Sequence, residues 1–506
     1  VAEPPYRLAA PGFPSEPSCA HARRRPQHDS TNALGSSHVA DTSTDQTYDI
    51  VILGGGSGGY AAALRGAQLG MSVALVEKDK LGGTCLHRGC VPTKALLHVA
   101  EVADSAREGS SVGVKSSFDG IDMDGVAAFK NGIVARLFKG LQGLVKSRKV
   151  TYIQGTGRLS GKDTITVETD EGTKVLKGKN IVLASGSFSK TLPGLELGGR
   201  IIDSEAALAL TEVPKNPIIL GGGVIGVEFA SVWKSFGAES VTIVEGLPHL
   251  APNEDEALSK ALERAFKKRG IKFSLGTFFD KAEQTDSGVK VTLVDGRTFE
   301  GDVLLVAVGR GPNTQGLGYE EQGIAMDRGF VLADKQTLQT NIPGIYAVGD
   351  IVPGLQLAHR GFQQGIFVAE RIAGMNPAPI VESNIPRVTY CEPELGSVGL
   401  TEKQAKESLG EDKVETYEYN LGGNGKSQIL ETTGFIKLVR EKDGPVVGIH
   451  MVGKRLSEQI GEAQLIVSWE AYPEDVASLI HAHPTQNEAM GEAHLALAGK
   501  PLHAHS

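Results

Sequence analysis

The 506-residue chain holds only four cysteines, Cys19, Cys85, Cys90 and Cys391, too few for a fold stapled by disulfides. No apolar run reaches the roughly 18 residues of a membrane-spanning helix. Aromatic residues make up 6% of the chain, and its few basic clusters are not interleaved with them. With a net charge of -9, this disfavours a nucleic-acid surface. The first residues lack the apolar centre of a secretory signal, so the chain is read as cytoplasmic. No second ligand pair stands at zinc-finger distance from the paired cysteines, so no metal is expected.

What is abundant is glycine, at 64 residues. That many glycines imply tight turns and close approach of backbone to ligands. The length requires more than one core, and 40% hydrophobic with 22% charged residues suits a globular chain. Residues 1–46 differ from the rest. They are rich in Pro, Ser, His and Arg, show no amphipathic period, and read as a disordered extension. Arg23, Arg24 and Arg25 would suit a transit peptide, but Glu3, Glu16 and the prolines argue against one.

From Tyr48 the pattern changes. "YDIVILGGGSGGYAAALRGAQLG" reads as a buried strand, a glycine turn and a helix, and "VALVE" as the next strand. A cysteine-bearing loop follows, then a helix with Pro92 near its first turn, and a second long helix over about 124–146. Residues 150–184 alternate and read as a small antiparallel meander. At Asn216 the first pattern returns: "NPIILGGGVIGVEFASVWKSFGAESVTIVE". "GIYAVGD" reads as a strand ending at Asp350. Alternation resumes at Ile385, and helices close the chain. The fold class expected is α/β, with two Rossmann-like nucleotide-binding units followed by a C-terminal α+β domain.

Gly54, Gly56 and Gly59 form GxGxxG directly after a strand, and Glu77 ends the next strand 18 residues after Gly59. Such glycines permit the turn, the approach of a pyrophosphate and the packing of helix on strand; the acid meets ribose hydroxyls. Gly221, Gly223 and Gly226 repeat the motif, with Glu245 19 residues after Gly226. A carboxylate there pairs with a free 2′-hydroxyl and repels a 2′-phosphate, so NAD is expected over NADP. Two such sites in one chain suggest an electron relay between a tightly bound flavin and a diffusible nicotinamide.

"GGTCLHRGCVPTK" places Cys85 and Cys90 with four residues between them, just before a helix. A structural disulfide closing so short a loop would stabilise by only about 2 kcal/mol. A zinc pair lacks its partners. A redox pair fits better, since a helix N-terminus favours thiolate. Thiol exchange needs a proton acceptor, and "HAHPTQNE" offers His483 with Glu488 five residues on. His481 reads as a surface or packing residue, and Cys391 as an inert buried thiol.

Together, "GGTCLHRGCVPTK", "IYAVGD" and "HAHPTQNE" resemble the pyridine nucleotide–disulfide oxidoreductases, above all the E3 branch that oxidises dihydrolipoamide in 2-oxo acid dehydrogenase complexes. The resemblance covers the chain from about Tyr48 to the C-terminal helix. It implies FAD at the first glycine motif and NAD at the second. The FAD-binding part would span residues 47–191 and 316–384, the NAD-binding part 192–315, and a dimerisation domain 385–506. Asp350 would hold the flavin ribitol, Ala358 would lie near its ring, and Lys94 would approach it beside Glu228. Ser185 and Gly186 would also touch cofactor, with Gly309 near the nicotinamide or flavin. The implied partners are a second copy of the chain, whose cysteines His483 and Glu488 would reach, and the lipoyl domain of an E2 acyltransferase. Ser185 departs from the threonine usual in the family. His87 and Arg88 replace less charged residues and are read as variants without a catalytic role. Reductases of small-molecule disulfides share this layout and form the alternative. A flavoprotein that only docks a complex, without turnover, is a lesser one.

Overall fold

The computed structural model describes residues 47–504, so the extension expected over residues 1–46, with Cys19, lies outside the described residues. The first nucleotide-binding unit opens with β1 (Thr47–Leu53), α1 (Ser57–Gln68) and β2 (Val73–Glu77). Ile50 to Leu53 are all buried, as suits a central parallel strand covered on both faces. Two helices meet at the cysteines: α2 (Gly83–Arg88) and α3 (Cys90–Glu108). The long helix is α4 (Met123–Ser147), capped by the Asp122 carboxylate. Then come β3 (Thr151–Gln154), β4 (Thr156–Gly161), β5 (Thr164–Thr169) and β6 (Gly172–Leu183).

The antiparallel meander expected over 150–184 is only partly present. β3 adds to β2 in parallel, and the 12-residue β6 changes partners along its length. Its first half pairs antiparallel with β5 and its second half parallel with β1. Alternation reports that one face of a strand is buried, not the direction of its neighbour.

The second unit repeats this plan. After β7 (Ser187–Ser189), it contains β8 (Ile201–Ile202), α5 (Ser204–Ala207), β9 (Ile218–Leu220), α6 (Val224–Phe236), β10 (Val241–Val244), α7 (Glu256–Lys268) and β11 (Ile271–Ser274). An antiparallel trio, β12 (Phe279–Gln284), β13 (Val289–Leu293) and β14 (Thr298–Gly301), leads into β15 (Leu304–Val306). The parallel order is β11-β10-β9-β15-β8, against β3-β2-β1-β6 in the first unit. β16 (Arg310–Pro312) pairs back with β7, and β17 (Met326–Asp327) with β18 (Phe330–Val331) form a small hairpin. β19 (Ile345–Ala347) then joins the first sheet beside β6, before α8 (Ala358–Ile372). Asp350 therefore lies past the strand end, in a 3₁₀ turn over Gly349–Ile351, not in the strand as expected.

The C-terminal part is α+β. Its antiparallel sheet, in the order β20-β21-β24-β23-β22, uses β20 (Arg387–Thr389), β21 (Glu394–Gly399), β22 (Val414–Asn420), β23 (Phe435–Glu441) and β24 (Val446–Gly453). Its helices are α9 (Glu402–Leu409), α10 (Gly425–Ile429), α11 (Ile460–Ser468), α12 (Pro473–Ala477) and α13 (Asn487–Leu497). Among the described residues, no helix is long and apolar enough to cross a membrane.

A buried charge cluster joins this part to the second unit. Asp255 caps α7, and its carboxylate accepts from Lys437 Nζ at 2.8 Å; Lys437 also donates to Glu402 at 2.6 Å. Burial alone would raise the Asp255 carboxyl, but His450, the Lys437 ammonium and the Glu402 N–H outweigh it and hold it low. Lys437→Met should leave Asp255 charged and unpaired, costing about 3 kcal/mol. A depressed carboxyl loses its stabilising effect as pH falls through its folded pKa. The variant should therefore melt at lower temperature at neutral pH and begin acid unfolding at a higher pH than the parent. An unchanged melting curve across pH 3–7 would contradict this.

Candidate active site

The cysteines do not lie in a loop, as the sequence reading had it. Cys85 sits within the single turn of α2, and Cys90 is the first residue of α3. Gly82, with φ of 107°, turns the chain into α2, a conformation that only glycine adopts cheaply. Six residues are too few for a helical period to emerge. Gly89 joins the two helices, and its carbonyl accepts from the Thr93 hydroxyl at 2.7 Å.

Both cysteines are free, and the Cys85 thiol hydrogen-bonds Cys90. This bond lowers the Cys90 pKa to about 7, against the opposing effect of burial; Lys94 and the backbone N–H at the start of α3 contribute. The same contact, with burial, pushes the Cys85 thiol up. Lys94 follows Cys90 by four residues and so shares its face of α3. Its ammonium donates to both Glu228 oxygens, at 2.9 and 2.8 Å, and Glu228 is buried on α6. Burial works against the Lys94 charge, but Glu228 outweighs it and raises the pKa.

The two glycine turns repeat one geometry. A Cβ on Gly59 would stand 1.8 Å from the Gly54 carbonyl oxygen, and one on Gly226 would stand 1.9 Å from that of Gly221. Glu77 accepts from Gly55 N at 2.7 Å and Asp79 N at 2.8 Å. Glu245 accepts from Gly222 N at 2.6 Å and Leu247 N at 2.8 Å. Burial raises the Glu77 pKa, offset in part by the Gly55 N–H.

The fit to two dinucleotides rests on what stays open. A Cβ on Gly223 would meet nothing within 4 Å, and one on Gly56 would reach only Gly83 Cα, at 4.0 Å. These are the N-cap residues of α6 and α1, and neither helix has a side-chain cap. α8, which starts at Ala358, has none either. Three helix N-termini thus present free N–H groups to a ligand.

Asp350 accepts from the Ser187 hydroxyl at 2.5 Å. Arg310, which sequence reasoning missed, donates to that hydroxyl from Nε and to the Ser187 carbonyl from Nη2, at 2.7 and 2.8 Å. Ser185 turns its hydroxyl to buried Tyr319, at 2.9 Å. Gly186 and Gly309 adopt φ of 77° and 108° and have open space where a Cβ would stand. Tyr390, also missed, donates its N–H to Glu228 at 3.0 Å, and its ring lies 4.6 Å from Lys94 Nζ. The signal available for Arg310 was its place just past the end of β15; for Tyr390 there was none beyond its being aromatic.

His483 is exposed, and its Nδ1 lies 2.7 Å from Glu488 Oε1. Glu488 also accepts from Thr485 N at 2.7 Å. Burial would raise the Glu488 carboxyl, but that N–H and His483 outweigh it and lower it. Neither His483 nor Glu488 is joined to the chain's own cysteines. His481, expected at the surface or in packing, is largely buried and paired with Glu462 at 2.8 Å. His87 is held by the Leu81 carbonyl at 2.9 Å and packs edge-on against Phe138, while Arg88 pairs with Asp79. Cys391 is buried, and its thiol donates to the Pro393 carbonyl at 3.3 Å.

The architecture, with paired thiols between two dinucleotide cradles, defines a flavin- and nicotinamide-linked disulfide oxidoreductase. The chain belongs to the pyridine nucleotide-disulphide oxidoreductases: the family's signature matches residues 48–365, and its dimerisation domain matches residues 385–494. FAD and NAD(H) are the cofactors of the family's dihydrolipoyl dehydrogenases, and the dimerisation domain supports a homodimer. The chain is 40% identical over 473 residues to a dihydrolipoyl dehydrogenase of Bacillus subtilis, covering 90% of this chain and 99% of that one. It is 39% identical over 466 residues to the mitochondrial dihydrolipoyl dehydrogenase of Pisum sativum, covering 90% and 92%. The crystal structure of LpdA from Mycobacterium tuberculosis superposes with a TM-score of 0.83 at 28% identity, covering 88% and 99%.

In the reduced protein, the Cys90 thiolate should form with a midpoint near pH 7. Cys85→Ala removes the hydrogen bond that stabilises the Cys90 thiolate, so the midpoint should move upward by about one unit. Thiolate absorbance at about 240 nm across pH reads both; a midpoint that Cys85→Ala leaves unmoved would contradict the assignment.

Proposed function

We propose that the protein oxidises protein-bound dihydrolipoamide to lipoamide and reduces NAD⁺ to NADH, as the E3 enzyme of a 2-oxo acid dehydrogenase complex. The observation that carries this reading is the thiol pair at the junction of α2 and α3, with Lys94 paired to buried Glu228 behind it. In the oxidised enzyme, Cys85 and Cys90 form a disulfide. A dihydrolipoamide thiol gives its proton to His483 Nε2 and attacks Cys85 Sγ. The Cys85–Cys90 bond breaks, and Cys90 leaves as thiolate, favoured because its pKa is the lower of the two. The second substrate thiol then attacks the lipoyl sulfur of the mixed disulfide. Cys85 is released and the lipoamide ring closes, so two electrons and two protons have moved to the protein.

Glu488 holds Nδ1 and so fixes which ring nitrogen takes the proton. Lys94 holds the Cys90 thiolate electrostatically, and Glu228 holds Lys94. A bound flavin would supply the two-electron chemistry that links the dithiol to NAD⁺. The glycine turn at Gly54, with Glu77, Asp350 and the start of α8, would hold the FAD. The turn at Gly221, with Glu245, would hold the NAD. The corresponding units are residues 47–191 with 316–384, and 192–315; residues 385–506 would bring His483 to the cysteines of a second subunit. The exposure of His483 supports this arrangement. The electron source would be the lipoyl domain of an E2 acyltransferase, in an NAD-supplied reducing compartment such as the cytoplasm.

The purified holoprotein should reduce NAD⁺ with dihydrolipoamide, followed at 340 nm. No turnover, with turnover on another dithiol or disulfide, would replace this reading. Cys90→Ser should abolish the reaction, and His483→Gln should slow it by about 10²- to 10⁴-fold. Because Glu245 disfavours a 2′-phosphate, kcat/KM for NAD⁺ should exceed that for NADP⁺ by at least roughly tenfold. Equal efficiency would remove Glu245 from cofactor selection.

A further inference from the structure

His483 sits on a short exposed loop, yet a base must be held within a fraction of an ångström to act. Its own partner, Glu488, lies on the first turn of α13; it fixes the ring and accepts from the Thr485 N–H inside the loop, but ties neither end. The loop's two ends are fixed elsewhere. On one side, His481 Nε2 lies 2.8 Å from Glu462 Oε1; on the other, Asn487 Nδ2 donates to Glu462 Oε2. Glu462 belongs to α11, which packs on the β21 and β24 sheet, so the anchor stands outside the loop. The His481 ring lies against α13: a Cβ on Gly491 would stand 2.6 Å from its Nδ1. The site therefore accepts the imidazole only where α13 has no side chain.

The geometry points to Glu462 as the positioning residue of His483: one carboxylate ties both ends of the loop that carries the base. This deepens the reading of His483 as proton acceptor and rests on it. Glu462 touches neither substrate nor cofactor; it acts through the 481–487 segment. Two further ties support the loop without spanning it. Asn424 donates to the Thr485 carbonyl at 2.9 Å, and Gln486 to that of Lys454 at 2.7 Å. Burial would raise the Glu462 carboxyl, but the bonds from His481 and Asn487 outweigh it, so it is held as a carboxylate able to accept both. His494 lies nearby on α13, with burial lowering its pKa to about 4, so it adds no positive charge.

The test uses the full-length holoenzyme and two reactions. One is dihydrolipoamide oxidation, which needs His483. The other is NADH oxidation by ferricyanide, which takes electrons from the flavin and bypasses the base. Glu462→Ala should lower kcat of the first by about 10- to 100-fold, leave KM for dihydrolipoamide within about twofold, and leave the second unchanged. Glu462→Gln can still bridge, accepting from Asn487 and donating to a neutral His481, and should restore most of the rate. Asn487→Ala frees one end only and should lower kcat by less than Glu462→Ala; it also serves if Glu462→Ala does not fold. Dithiol oxidation at the parental rate in Glu462→Ala overturns the proposal. So does equal loss of both reactions in Glu462→Ala and Asn487→Ala, which would mean a general structural role. A parent enzyme that fails to reduce NAD⁺ with dihydrolipoamide sinks the functional reading itself, a result separate from any difference among the variants.

Discussion

The buried Glu228 carboxylate is the contact on which the relative placement of the redox parts depends. An ionised carboxylate out of water costs several kcal/mol unless its lone pairs are satisfied. Glu228 meets that demand from two other parts of the chain: Lys94 from the cysteine helix α3, and the Tyr390 N–H from just beyond β20. Glu228 itself lies on α6, whose N-terminus faces the second glycine turn. The same face of α6 continues the seam three and seven residues on. Ser231 and Ser235 both accept from Arg269, which also reaches the Glu392 carbonyl and, more weakly, Asp104 of α3. Moving α3 against α6 would strand a buried charge and several buried polar groups together. The thiol pair is therefore held at a fixed place relative to both cradles.

Those cradles are one solution used twice. In each, an acid at the end of the second strand accepts from the N–H of the residue after the first glycine and from an N–H two residues beyond itself. A carboxylate so placed closes the glycine turn and still has lone pairs for ribose hydroxyls. The two copies diverge where their tasks differ. In the first, β6 runs unbroken from the antiparallel trio into the parallel sheet; in the second, β14 and β15 are separate strands. Only the first carries a cysteine helix after its acid. The duplication thus supplies two binding surfaces, and the inserted helix supplies the chemistry between them.

The parts that could be read from the chain are those whose geometry is local. GxGxxG, the acid that follows it, the cysteine spacing and the His483–Glu488 pair each lie within about two dozen residues, and helix and strand periods place them. Arg310 meets Ser187 across 123 residues, and Tyr390 meets Glu228 across 162. No spacing rule connects them, because the fold, not the local chain, brings them together. Glu462 was hidden for a different reason. It is only 19 residues from His481, but α12 and a turn intervene, so neither a helical nor a strand period links the two. Alternation over 150–184 showed strands but could not show that β3 and β6 join a parallel sheet, since pairing direction leaves no mark on the sequence of one strand.

The two thiols matter because they are unequal. A helix N-terminus, an ammonium one turn along and a donated hydrogen bond all favour negative charge on Cys90, and none of them acts as strongly on Cys85. In disulfide exchange the lower-pKa thiol is the better leaving group, so attack is productive at the other sulfur. In the proposed reaction that asymmetry would leave Cys85 to meet substrate and Cys90 to hold charge. Were Lys94 unpaired, its long side chain could take many positions and its share of the bias would average away. Glu228 removes that freedom, so the buried ion pair fixes where the ammonium stands relative to Cys90.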